Sequence, residues 1–431
     1  MRRSLASALV GALLGCTFAG AASAQPSPLP PALPGPPAAP PASPPPAAPE
    51  GLPTTPGVPY NPSKVKWPET VGGKSISAVV NDLKSADPTV QEGALRLIQL
   101  FGPEVARKSA MKAVIPMIDH PDPGIRTNAI LLIGSFGFDN PKDFNDAVAK
   151  LVALLGKTGP GSILRLHVTR ALASLGYEAH AAVPALCAVA DDSSWEVRAA
   201  VADALGRLGA PVYDQATVLD GPTALKVPTL KREASRRAME KLSFVLLRDP
   251  SSAVRMETCQ ALITLGPPHS ADAAQYQTVS KPLTDAIAGR LRVEKEPVVK
   301  IWLNLLHMMY DERVFKPTLD LLVADVNSTD LPIRLQAMAA LAVLGPKALP
   351  ALDAVARALH SGETPAQVAA IQTMMSLGEE SAKSVLPELD RFVAAAAADP
   401  KQKDIRAYAE AAAKALRKNK LPPAAPAVAK P

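Results

Sequence analysis

Metal binding and nucleophilic catalysis need several reactive side chains brought together, and a helix can do this at spacings of three or four residues. The six histidines, His120, His167, His180, His269, His307 and His360, are instead scattered over separate elements. None stands beside a His, Glu or Asp in a way that reads as a ligand pair on a stable helix, and no His-Glu dipeptide occurs. The chain has no Gly-x-Ser-x-Gly elbow and no phosphate-binding glycine loop. Beyond Cys16 only Cys187 and Cys259 remain, without a Cys-x-x-Cys, so thioredoxin-like and c-type haem motifs are excluded. Both thiols read as small buried hydrophobes. No catalytic, cofactor or metal residue is assigned, although a catalytic triad assembled in space leaves no sequential motif.

Binding chemistry is better represented. A helix expected over residues 229–247 carries Lys231, Arg232, Arg236, Arg237 and Lys241, with Arg232 and Arg236 as candidate contacts for an acidic partner. The competing reading is a solvated amphipathic face whose apolar side is Leu230, Ala234, Ala238 and Leu242. Glu233 and Glu240 would then pair with Arg237 and Arg236. Trp195 lies in the acidic turn Asp191–Glu196. It reads as a hydrophobic staple over a neighbouring unit in preference to a stacking platform for a sugar.

What must position these residues is a repeated phrase. A branched aliphatic residue is usually followed by an anchor, most often Arg or Gln, then by an Ala-rich helix ending in Leu/Phe-Gly. Val197-Arg198 to Leu208-Gly209, Val254-Arg255 to Leu265-Gly266 and Ile333-Arg334 to Leu344-Gly345 are the clearest copies. Gln91, Arg126, Arg165 and Gln367 keep the same eleven-residue offset to a glycine, while Lys300 and Arg406 keep the offset and lose the glycine. A recurring unit of this length implies a stacked array in place of one closed core. Aromatics are 4% of the chain and apolar residues 48%, so the interior is expected to be Ala, Leu and Val.

Each unit also carries an acid-Pro join before its anchored helix: Asp87-Pro88, Asp122-Pro123, Asp249-Pro250, Glu296-Pro297 and Asp399-Pro400. An Asp there can cap the free N–H groups of the helix, and Pro suits its first position. Asp87, Asp122, Glu296 and Asp330 precede Gln91, Arg126, Lys300 and Arg334 by four residues. Arg126, Arg198, Arg255 and Arg334 are therefore expected to reach acids of their own or neighbouring units, building an Asp/Arg ladder with Asp87, Asp122, Asp249 and Asp330. Apolar residues recur at anchor −1, +3, +6, +7 and +10, a stripe too short to fold without covering neighbours. Positions +2, +5 and +9 should point outward from it. They include Arg96, His167, Arg170, Asp203, Arg207, Glu257, Gln260, Trp302, Met309 and Gln372. Arg170, Arg207, Gln260, Trp302 and Met309 are the candidate partner contacts, with Trp302, Met308 and Met309 as an exposed patch unless packing between units buries them.

The phrase D-P-x-V-R-x-x-A-x-x-A-L-x-x-L-G resembles the HEAT-repeat family over roughly residues 70–418. The resemblance implies an all-α fold, a right-handed α-solenoid of about nine helical hairpins whose anchored helices line a concave face. It implies no single activity. HEAT arrays serve mainly as scaffolds and adaptors, while HEAT-like bilin-lyase relatives act on small molecules in the groove.

The ends of the chain suggest an address. Arg2 and Arg3, the apolar stretch 5–19 and Ala22-Ser23-Ala24 read as a secretory signal over residues 1–24. Leu13-Leu14-Gly15-Cys16 offers a lipid anchor at Cys16 as an alternative. Residues 25–66 form a Pro/Ala-rich disordered linker that at ~3.1 Å per residue could reach on the order of 100 Å. The solenoid is expected over 67–418 with a loop insertion near 210–228, and residues 419–431 form a similar tail. Otherwise no segment reads as long and apolar enough to span a bilayer, so no transmembrane helix is expected in the mature chain. The formal charge of +6 falls to +4 without Arg2 and Arg3, which gives no support for a nucleic-acid partner. The expected function is a non-catalytic scaffold of a bacterial cell envelope, periplasmic or secreted, with a protein partner on its concave face. A groove enzyme and a wall-associated spacer are the alternatives.

Overall fold

The computed structural model describes residues 67–209, 229–266 and 273–418. The leader with Cys16, the Pro-rich segment, the loop at 210–228 and the tail from 419 lie outside the described residues. The chain opens on a two-stranded antiparallel pair, β1 (Thr70–Val71) and β2 (Lys74–Ser75). Nine helical pairs follow among the described residues. Their second, anchored helices are α2 (Pro88–Ile98), α5 (Pro123–Phe136), α7 (Ile163–Leu175), α9 (Trp195–Gly209), α11 (Ser252–Leu265), α13 (Pro297–Tyr310), α15 (Leu331–Leu344), α17 (Thr364–Ser376) and α19 (Lys403–Arg417). The first helices are α1 (Ile76–Asp82), the broken α3–α4 (Pro103–Ser109 and Met111–Val114), α6 (Pro141–Lys157), α8 (Val183–Ala188), α10 (Thr229–Phe244), α12 (Ala273–Val293), α14 (Phe315–Val326), α16 (Leu352–Leu359) and α18 (Ala382–Ala395).

The apolar stripe decides the packing. Val197, Val201, Ala204, Leu205 and Leu208 of α9 are all buried, as are Val254, Thr258, Ala261, Leu262 and Leu265 of α11. Each anchored helix packs on the anchored helices before and after it, more extensively than the first helices pack on one another. A row that packs closer along one side must curve toward that side, so the anchored helices form the inner face. Small residues permit the approach. A Cβ added to Gly206 of α9 would stand 2.7 Å from Ala261 Cα of α11, and one at Gly134 of α5 would stand 3.0 Å from Ala171 Cα of α7. Both glycines occupy anchor +8 and both alanines anchor +6 of the next unit.

The joins cap the inner helices as their residue types require. The Asp87 carboxylate accepts from the Thr89 N–H, Asp122 from those of Gly124 and Ile125, Asp330 from Ile333, and Asp399 from Lys401 in a short 3-10 turn. Asp249-Pro250 departs from this pattern. The helix begins later, at Ser252, and Asp249 accepts from the Ser251 N–H in the preceding turn. One stretch, Leu331–Leu359, is long and apolar enough by composition to cross a membrane, contrary to the sequence expectation. It is not one straight helix: Gly345 at φ +60° ends α15, and a 3-10 turn leads into α16. Half of it is buried among the other repeats.

Candidate functional site

The anchors form a ladder whose rungs differ from the sequence expectation. Arg165 of α7 donates to Asp192 at 2.5 Å. Arg198 of α9 donates to Asp249 through Nε and Nη2 at 2.6 and 3.0 Å. Arg255 of α11 donates to Glu294 through Nε and Nη2 at 2.7 and 2.8 Å. In these three rungs the acid stands six residues before the next anchor, and not four. The same guanidinium reaches back to its own join: Arg198 Nη1 donates to the Asp192 carbonyl at 2.7 Å, and Arg255 Nη1 to those of Asp249 and Pro250 at 2.9 Å. Each acid also accepts the N–H two residues on, at Ser194, Ser251 and Glu296. The result is a buried relay, Arg165–Asp192–Arg198–Asp249–Arg255–Glu294, that ties four repeats together.

The acid-Pro join places an acid at anchor −4, whereas Asp192 and Glu294 lie two residues further back and outside it. A polar side chain recurring six before the anchor (Ser85, His120, Asp192, Asp249, Glu294, Ser328, Ser361) was the signal in the sequence. Burial works against the charged form of Glu294, but donation from Arg255, the Glu296 N–H and Arg290 outweighs it and holds the carboxyl at about 2. For Asp192, burial is likewise outweighed by the Ser194 N–H and Arg165, and its carboxyl sits below the usual range. Arg334 pairs with Glu363 of the following repeat, not with Asp330, and its Nη1 donates to the Ser328 carbonyl at 3.0 Å. Asp122 is committed to its cap, and the buried Nε of Arg126 has no hydrogen-bond partner. Gln91 uses Nε2 in the same place, donating to the Ser85 carbonyl at 2.8 Å.

The inner-face candidates divide by the repeat that carries them. Arg170 is exposed on α7. Arg207 is exposed on α9 and donates to Asp203 at 2.7 Å. Gln260 of α11 is half-buried, and its Nε2 lacks an acceptor. Trp302 overturns its reading as an exposed contact. It is fully buried, and its indole N–H donates to Gln336 Oε1 of α15 at 2.8 Å, so the next repeat covers position +2 there. Met308 is buried with it, and Met309 is half-buried against the core, so the Trp/Met patch is internal packing. His167 and His307 sit in burial that pushes both imidazoles toward the neutral form. The one acid four residues from His307, Asp311, is taken by Arg313 at 2.8 Å.

On the outer side, Arg236 is exposed and donates to Glu240 at 2.6 Å, and Lys241 donates to Asp191 at 3.2 Å. With Arg237, Pro184, Cys187, Phe244 and Val245 they line an open cleft. Arg232 lies in α10 but outside the residues whose side chains are described. Cys259 is buried, whereas Cys187 is half-buried, so only the former is the core hydrophobe expected of both. Trp195 begins α9 and remains 47% exposed, not covered as a staple would be. Among the described residues no group of three His, Cys, Asp or Glu side chains is placed to hold a metal ion.

Residues 148–220 match the family model for HEAT repeats. These are HEAT repeats. The match runs from within α6 through α7, α8 and α9, and the same helical-pair construction recurs in the other pairs of the array. No curated protein matches the chain. Similar solved structures include an engineered protein (19% identity, 80% of this chain and 98% of that one, TM-score 0.31). A designed armadillo repeat protein in complex with the peptide (KR)4 is similar at 17% identity, over 63% of this chain and 100% of that one, TM-score 0.40. Importin beta is similar at 15% identity, over 78% of this chain and 47% of that one, TM-score 0.46. The chain thus spans about half the length of that importin beta structure.

Proposed function

We propose that this HEAT array is a non-catalytic scaffold that holds a protein partner along the inner face of its anchored helices. The observation that supports this is the register of that face. Arg170, Asp203 and Gln260 stand at anchor +5 of three successive inner helices, with Arg207 at +9 and Glu257 at +2 beside them, so one extended surface offers a polar group once per repeat. The leader-like residues 1–24 and the Pro-rich segment 25–66 support a place in a cell envelope, exported and held off by a spacer. The test is crosslinking of the tagged full-length protein in cells, with mass spectrometry of the captured peptides. Crosslinks from α7, α9 and α11 to one envelope protein are expected. Crosslinks confined to the outer helices, or to the chain itself, would overturn the reading.

A further inference from the structure

Among the described residues, Arg126 stands apart from the other anchor arginines. Arg165, Arg198, Arg255 and Arg334 each pair with an acid that lies before the next anchor. Arg406 pairs with Glu410 of its own helix. Arg126, half-buried on α5, makes no ion pair and no hydrogen bond. The reason lies in the next repeat. Six residues before Arg165, where Arg198 and Arg255 find Asp249 and Glu294, stands Gly159. The helices here pack in the register of a filled rung. Gly134 at anchor +8 of α5 sits on Ala171 at anchor +6 of α7, as Gly206 of α9 sits on Ala261 of α11, the pair of helices that brings Arg198 to Asp249. Arg126 therefore faces position 159, and no carboxylate stands there.

The slot is open and its wall is fixed. A Cβ added to Gly159 meets nothing within 4 Å. Behind it Arg165 Nε donates to Thr158 Oγ1 at 3.2 Å, the Gly161 N–H to Asp192 at 2.9 Å, and the Ser162 N–H to the Gly159 carbonyl at 3.3 Å. The Arg126 Nε is sealed, whereas Nη1 and Nη2 have no partner and open to solvent.

We propose that this slot is a carboxylate-binding site, in which Nη1 and Nη2 of Arg126 donate to an external carboxylate that takes the place Asp249 fills opposite Arg198. The array itself shows what the slot prefers. In every filled rung an anchor guanidinium takes a carboxylate, and the planar match of the two groups favours that ligand over a spherical anion. A half-buried guanidinium gains more from such a pair than a solvated one, because less water competes. The slot stands at the edge of the array formed by the joins, so it is independent of the inner-face reading. A free small acid and an acidic side chain of a bound protein offer it the same chemistry.

The test uses the full chain in two arms. Acetate replaces chloride at about 100 mM and constant ionic strength, and a rise in melting temperature of about 1–2 °C is expected in the native chain. Separately, a fluorescein-labelled peptide of four Ser-Asp dipeptides is compared with its Ser-Asn counterpart by fluorescence anisotropy at low salt. R126Q removes the donors, and G159D fills the slot from within. Gly159 lies outside the left-handed region and precedes Pro160, so G159D recreates the Asp249-Pro250 join without strain. K84Q changes the same charge at an exposed lysine of the first repeat. Either response upholds the site if R126Q and G159D both abolish it, or weaken it ~10-fold, and K84Q keeps it. Binding of the Asp peptide identifies a protein carboxyl as the ligand, and an acetate response without it identifies a small acid. Equal responses in the native chain and both slot variants overturn the proposal. So does a response lost in R126Q and kept in G159D, because the ligand then sits elsewhere.

Discussion

At the scale of single residues, the ladder is where charge and fold are coupled. Arg255 is 6% exposed and the Glu294 side chain is fully buried, so removing Arg255 leaves a buried carboxylate that keeps Arg290 at 2.9 Å and two backbone N–H donors. Arg255→Ala is expected to cost about 1–3 kcal/mol, read as a lower melting temperature with the helical circular dichroism of the folded state retained. Arg198→Ala should act in the same direction, and an unchanged melting temperature in both variants would remove the ladder as a stabilising device. The pH dependence has a definite sign. Glu294 would ionise near about 4.3 in the unfolded chain and is held at about 2 in the fold. Its ionised form therefore contributes stability that is complete above about pH 4.3 and is lost as pH falls through about 2. The gap in melting temperature between the native chain and E294Q should narrow as pH is lowered from about 5 to about 2.5, and a constant gap would contradict it. The anchors were legible in the sequence because Arg recurs at a fixed offset. Their partners were not, because a guanidinium on a long stem can reach an acid at −4 or at −6, and only the turn geometry chooses.

At the scale of elements, the array rests on how closely its inner helices approach. Gly206 and Gly289 are both helical glycines with ordinary negative φ, yet they should respond oppositely to alanine. A Cβ at Gly206 meets the Ala261 backbone at 2.7 Å, so Gly206→Ala must push α9 from α11 and is expected to cost about 1–3 kcal/mol. A Cβ at Gly289 of α12 meets nothing within 4 Å, so Gly289→Ala should stabilise by about 0.5–1 kcal/mol through helix propensity. Urea denaturation of the two variants tests the pair, and a neutral Gly206→Ala would show that the inner row has slack. The N-terminal end has its own close contact. Gly102, at φ +85°, leaves room for the Trp67 indole, which an added Cβ would meet at 2.3 Å, so Trp67 and the β1–β2 turn close the first repeat.

At the scale of the whole molecule, the ladder has a gap that defines a further prediction. The relay ends at Glu294 because the next anchor is Lys300, which is exposed, and the residue six before Arg334 is Ser328. Neighbour-to-neighbour interfaces set the stability of such an array, so a missing rung is a local weakness. The double variant K300R/S328D should rebuild the rung and raise the melting temperature by more than the two single changes together, with a coupling of about 1 kcal/mol. Simple additivity would mean that the seventh repeat does not bring these positions together. Trp302 and Gln336 already bridge this seam through their buried hydrogen bond.

The sequence by itself determined the repeat, the number of helical pairs, the apolar stripe and the Asp caps, because these depend on local spacing and helix geometry that recur in every copy. Only the tertiary structure decided which polar side chains face solvent and which face one another. Trp302 and Glu257 occupy the same register in consecutive repeats, yet Trp302 is sealed against Gln336 while Glu257 stays half-buried without a partner. The difference arises from what the neighbouring repeat offers at each position, since Gln336 of the next inner helix supplies an acceptor for the Trp302 indole and no described side chain supplies a donor for Glu257. That complement depends on the side chains of neighbouring repeats, and a single repeat's sequence does not contain it.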